Sequence, residues 1–168
     1  MGFDLNRAIR GRVWKFGDSI ETDAINPYYR YPTMEELKQH TMEVYRPEFP
    51  REVKPGDIMV AGRNFGCGSS RPGLVLREVG IAAIIAESVS RLFLRNSISR
   101  AIPIFVAPGV TGIVQDGETL EVDYPKGVIR NAASGASVAL RKYPPAIEQI
   151  FECGGLPQFA YERYLREA

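Results

Sequence analysis

Residues 57–107 read DIMVAGRNFGCGSSRPGLVLREVGIAAIIAESVSRLFLRNSISRAIPIFVA. Three apolar runs stand out: DIMVAG from Asp57, IAAIIA from Ile81 and PIFVA from Pro103. They alternate with amphipathic segments at a spacing that suits parallel βαβ units, so each run is expected to be a strand. The segments between them, residues 72–79 and 89–99, are then crossover helices, and right-handed connections would lay both against the sheet. The expected fold class is α/β, a small, largely parallel sheet with flanking helices.

Upstream, residues 11–16 (GRVWKF) read as a short strand. Residues 17–32 hold too much Gly, Asp, Asn and Pro for one regular element and read as a long loop. Thr33 followed by Glu36 forms a capping box, which predicts a helix over residues 34–45, and Pro47, Pro50 and Pro55 predict irregular chain after it. Beyond Gly109, turn signals at Asp116-Gly117 and Pro125-Lys126-Gly127 separate short alternating stretches, the mark of β-hairpins. A β-hairpin-rich lobe is expected there. Pro144-Pro145 should open a helix over 146–153 that Gly154-Gly155 ends, and residues 159–167 suit a tail helix. With no internal repeat, residues 1–168 read as a single domain.

Composition narrows the functions. The 21 Lys and Arg nearly balance 20 Asp and Glu, so the chain lacks the positive field that holds nucleic acid or an anionic membrane. No stretch approaches the ~18 apolar residues of a membrane span, and residues 1–10 lack a signal-peptide apolar region, so a cytoplasmic protein is expected. Two cysteines, Cys67 and Cys153, and one histidine, His40, fall short of a closed zinc or iron–sulfur site. The chain is expected to hold no metal, and its thiols are expected to be free.

The chemistry concentrates in residues 64–73, NFGCGSSRPG, between a strand and a helix. Gly66 and Gly68 would let backbone approach a ligand, Ser69 and Ser70 supply hydroxyls, and Arg71 presents a planar fork suited to a carboxylate or phosphate. Pro72 fits a first helical turn. On residues alone a second reading stands beside this one, in which the glycines make a tight turn and the serines cap the helix. Neither a P-loop nor a dinucleotide fingerprint is present. His40 reads as a solvated helix residue, Cys67 as structural, and the pairs Tyr28-Tyr29 and Tyr161 with Tyr164 as interface or packing residues.

NFGCGSSR closely resembles the signature of the swivelling domain of the aconitase and isopropylmalate isomerase family. The stretch Gly17-Asp18, Thr22-Asp23, Ile25 and Pro27 resembles a second family segment, and the likeness runs from about residue 11 to 106. It implies the small subunit of a two-subunit hydro-lyase that reversibly dehydrates and isomerises a hydroxy-dicarboxylic acid. A 4Fe–4S cluster would be carried by the partner large subunit. By the resemblance Ser69 is the base that removes a proton from carbon, Ser70 and Arg71 bind the substrate carboxylate, Asp23 lies at the site's edge, and Arg30 corresponds to a specificity-loop arginine. The first substrate implied is 3-isopropylmalate, with 2,3-dimethylmalate or homoaconitate as alternatives. A non-catalytic module that binds carboxylate or phosphate is the alternative from another class. Two departures bear on substrate: Pro72-Gly73-Leu74 replaces a usual Glu-His-Ala, and residues 29–33 read YRYPT where relatives carry a Tyr-Leu-Arg-like string.

Overall fold

In the computed structural model, which describes residues 3–71 and 73–165, the three apolar runs are parallel strands. β1 (Ile9–Lys15) pairs with β2 (Ile58–Ala61), followed by β3 (Ala83–Ala86) and β4 (Ile104–Val106). The other edge of β1 runs antiparallel to β5 (Thr119–Asp123), which continues into β6 (Val128–Asn131) and β7 (Ser137–Ala139). The order β4-β3-β2-β1-β5-β6-β7 therefore makes one mixed sheet. The expected α/β class holds, and the hairpin strands extend the parallel sheet through β1 instead of standing apart from it.

The apolar runs lack polar alternation because both faces of the strands are covered. Met59, Ala61, Ile84, Ala86 and Ile104 pack into one buried cluster; Ile58, Val60, Ala83, Ile85 and Phe105, on the opposite faces, pack into another. Over the first face lie α1 (Thr22–Ile25), α2 (Met34–His40), α3 (Phe49–Glu52), α4 (Leu74–Glu78) and α5 (Arg91–Ser99), contributing Ile25, Leu37, Phe49, Leu76 and Phe93. Val110 of α6 (Val110–Ile113) and Phe151 of α7 (Pro145–Cys153) cover the second. The last described elements are α8 (Leu156–Ala160) and a π turn at Tyr161–Leu165.

Several boundaries differ from expectation for local reasons. The Thr33–Glu36 capping box starts α2 as anticipated, but the helix stops at His40 because the Thr41 hydroxyl donates to Ile25 O (2.7 Å) and the Met42 N–H to Ala24 O (2.8 Å). These bonds tie the chain to the 17–32 loop. That loop carries the one-turn α1, and the proline-rich stretch carries the one-turn α3. Pro145 opens α7 and Gly154, at φ +90°, closes it as expected. The tail helix begins earlier, at Leu156, and residues 166–167 lie outside the described residues, as does Pro72.

Asp57 anchors the start of β2. Its nearly buried carboxylate accepts from Arg12 Nη2 (2.6 Å), Trp14 Nε1 (2.8 Å) and the Lys54 N–H (2.9 Å). Burial by itself would raise its pKa, but the Arg12 guanidinium and the two N–H donors together hold it below the ordinary value. A depressed folded-state pKa gives stability that is present above the unfolded value of ~4 and lost as pH falls through the folded one. At pH 7 Asp57→Asn is expected to destabilise by the lower end of ~3–5 kcal/mol, since Arg12 is partly exposed. Thermal melts should show the gap between native and variant narrowing below about pH 4.

Candidate functional site

The loop after β2 lies beside the 17–25 segment and is stitched to it. The Asp18 carboxylate accepts the Arg63 N–H (2.6 Å), and Ile20 O accepts from the Gly66 and Cys67 N–H groups (2.8 and 3.2 Å). The Thr22 N–H donates to Cys67 O (2.8 Å), and the Ser69 N–H donates to Thr22 Oγ1 (2.8 Å). From the other side the loop is carried on α5: the Phe93 ring stands edge-on to Phe65, and Asn96 Nδ2 donates to Ser70 O. Two segments far apart in sequence thus hold one turn rigid.

The glycines serve this packing. At φ +74°, Gly66 sits where a Cβ would fall 2.2 Å from Phe93 Cγ, and at φ +103°, Gly68 leaves a Cβ position 3.1 Å from Thr22 Oγ1. The close neighbours of both Cβ positions belong to the protein itself, Phe93 at Gly66 and Thr22 at Gly68. The helix-capping reading of the serines is overturned. α4 begins only at Leu74, with Gly73 as its cap and no side-chain cap bond. Its five residues begin well beyond Ser69, so its dipole does not act on that hydroxyl.

Ser69, Ser70, Arg71 and Asp23 come together. Ser69 Oγ lies 2.9 Å from Thr22 Oγ1, half-buried, while Ser70 is exposed. Arg71 Nη1 meets Asp23 Oδ1 at 3.2 Å, and its guanidinium carbon lies 4.3 and 4.5 Å from the ring centroids of Tyr28 and Tyr29. The two rings orient the planar fork through stacking and cation–π attraction. With 24% of the Arg71 side chain exposed against 56% for Asp23, the ion pair is open to solvent on the acid's side. Arg30 is exposed on the adjoining loop and enters none of the contacts described among these four residues. Tyr31 stacks on His40 at 3.6 Å, and His40 Nδ1 meets Glu43 Oε2 at 2.8 Å, which fastens that loop to α2.

Four contributors escape a reading of the sequence. Thr22 is the first member of the Thr-Asp pair, of which only Asp23 signals chemistry by its charge. Tyr28 and Tyr29, read as interface or packing residues, both lie against the Arg71 guanidinium, and Asn96 carries no local signal. Cys67, Cys153 and His40 do not assemble into a cluster site: Cys67 Sγ lies against Ile20 O, Cys153 Sγ against Glu162, and His40 against Tyr31. Among the described residues no group of three metal-ligating side chains converges, and no helix is long and apolar enough to cross a membrane.

Comparison with known proteins follows the same outline. The aconitase C-terminal domain family matches residues 4–107. The small subunit of isopropylmalate/citramalate isomerase from Methanocaldococcus jannaschii is 46% identical over 156 residues, covering 90% of this chain and 93% of the relative. A 3-isopropylmalate dehydratase small subunit from Archaeoglobus fulgidus is 47% identical, with 94% and 98% covered. A methanogen homoaconitase small subunit from Methanothermobacter thermautotrophicus is 45% identical, with 88% of each covered. The crystal structure of 3-isopropylmalate dehydratase from M. jannaschii superposes with a TM-score of 0.86 at 36% identity, covering 96% of this chain and 98% of that one. On the domain match, the near full-length likeness and the shared fold, the chain belongs to the aconitase C-terminal domain family.

Proposed function

We propose that this chain, as one swivelling domain, is the small subunit of a two-subunit hydro-lyase that reversibly dehydrates and isomerises a hydroxy-dicarboxylic acid, with 3-isopropylmalate as its substrate. The observation that carries the reading is Arg71, its guanidinium set against the Tyr28 and Tyr29 rings two residues from Ser69, with the exposed Asp23 carboxylate on its fork. A substrate carboxylate replaces Asp23 there, because an exposed ion pair is worth only ~0–1 kcal/mol and a bidentate partner binds more strongly. Ser70 adds a hydrogen bond beside it. Ser69 Oγ then faces the bound acid and takes the proton from carbon. Arg30, exposed on the 26–33 loop, reads the remainder of the substrate.

A 4Fe–4S cluster carried by the large subunit would supply Lewis-acid chemistry for the leaving hydroxyl; with two cysteines this chain has too few thiolates to hold it. Balanced charge and the family's small-molecule chemistry support a cytoplasmic role in leucine biosynthesis. Homoaconitate is the second substrate reading, favoured by one observation: a homoaconitase small subunit is as similar to this chain as the isopropylmalate proteins are. Overall identity therefore does not choose between them.

Co-production with a cluster-bearing large subunit, followed by dehydration assays on 3-isopropylmalate, homoaconitate and 2,3-dimethylmalate, tests the proposal. Turnover is expected only in the assembled enzyme, with the highest kcat/KM on 3-isopropylmalate. Carboxylate binding without turnover in the assembled complex would instead identify a binding module.

A further inference from the structure

We infer that Thr22 is the positioning residue for Ser69. The inference rests on Ser69 being the base. Thr22 is fully buried, the first residue of α1, and its own N–H is fixed on Cys67 O at 2.8 Å. Its hydroxyl makes two contacts with a single residue across the loop: it accepts the Ser69 N–H at 2.8 Å and lies 2.9 Å from Ser69 Oγ.

A hydroxyl has one proton and two lone pairs, and a buried one must place that proton on an acceptor. One lone pair of Thr22 Oγ1 already takes the Ser69 N–H. Among the described residues, the acceptor within reach of its proton is Ser69 Oγ. Thr22 therefore donates to Ser69 Oγ while accepting from Ser69 N, a reciprocal clamp that fixes both the backbone and the side-chain rotamer of the same residue. Two consequences follow. The donated bond leaves the Ser69 oxygen's remaining lone pairs and its own proton directed away from Thr22. It also favours the deprotonated oxygen, because a donor already fixed in place stabilises an alkoxide without reorganising. Thr22 keeps its proton throughout and does not touch substrate. Gly68 suits this clamp, since its φ of +103° favours glycine and a Cβ there would press to 3.1 Å from Thr22 Oγ1.

The test uses the assembled two-subunit enzyme. Thr22→Val keeps the shape and removes the hydroxyl, and should lower kcat toward the ~10²-fold typical of one lost donor while KM stays near native. Thr22→Ser restores the hydroxyl and should restore kcat. In a Ser69→Ala background, Thr22→Val should change kcat no further, because its effect passes through Ser69. If the valine variant fails to assemble, Thr22→Ala, which is smaller than the native side chain, takes its place in the same comparisons. Native kcat in Thr22→Val alongside an inactive Ser69→Ala would overturn the role of Thr22 alone, as would a further loss on the Ser69→Ala background. Native turnover in Ser69→Ala would overturn the base assignment and this inference with it.

Discussion

Ser69→Ala in the assembled enzyme is expected to lower kcat by the ~10²–10⁴-fold of a lost general base, with KM nearly unchanged. The substitution removes one oxygen and leaves the loop's supports in place. The Ser69 N–H still reaches Thr22 Oγ1, the Gly66 and Cys67 N–H groups still reach Ile20 O, and Asn96 still holds Ser70 O. Since α4 starts at Leu74 with Gly73 as its cap, no helix cap is lost with the hydroxyl. Stability should fall by ~1–3 kcal/mol, because the buried Thr22 hydroxyl loses the acceptor of its proton. Melting and steady-state kinetics on the same samples separate the two effects, and near-native turnover in a well-folded variant would take the base role from Ser69.

Arg71→Lys should act differently, raising KM strongly and lowering kcat as well. Lysine keeps the charge but loses the planar fork, along with the stacking on Tyr28 and Tyr29 at 4.3 and 4.5 Å that orients it. Substrate would bind more weakly and out of register with Ser69, and misplacement by about 1 Å can cost ~10²-fold in rate. The fold should hardly notice, because the Asp23 partner is exposed and such pairs contribute ~0–1 kcal/mol. Unchanged KM in Arg71→Lys, with melting temperature also unchanged, would remove Arg71 from carboxylate binding.

Much of this was legible before the structure because it was written in local chemistry. The runs at 57–62, 81–86 and 103–107 are apolar on both faces and became strands covered on both sides, two inside the sheet and β4 at its edge. The Thr33–Glu36 box and the Pro145 and Gly154 signals are hydrogen-bonding and backbone preferences that act within one turn. The NFGCGSSR string named its own polar groups. α6 was missed because both of its ends are held by distant residues: the Glu87 carboxylate accepts from the Gly109 and Thr111 N–H groups (2.6 and 2.9 Å), and Lys15 Nζ donates to Thr111 O and Val114 O (2.8 and 2.9 Å). No residue near 110–113 advertises such a helix.

By itself, then, the sequence determined the α/β class, the strand-and-helix rhythm of 57–107 and the identity of the loop that carries Ser69, Ser70 and Arg71, since each depends on burial pattern or on contacts a few residues apart. The tertiary structure decided that β1 joins the hairpin strands to the parallel sheet, that Phe93 and Thr22 are what the loop glycines accommodate, that Tyr28 and Tyr29 lie against Arg71, and that Thr22 clamps Ser69. Those are contacts between segments tens of residues apart. No periodicity or cap signals them, because their free energy exists only once the two faces of the sheet have been covered and the 17–33 and 62–71 segments lie side by side.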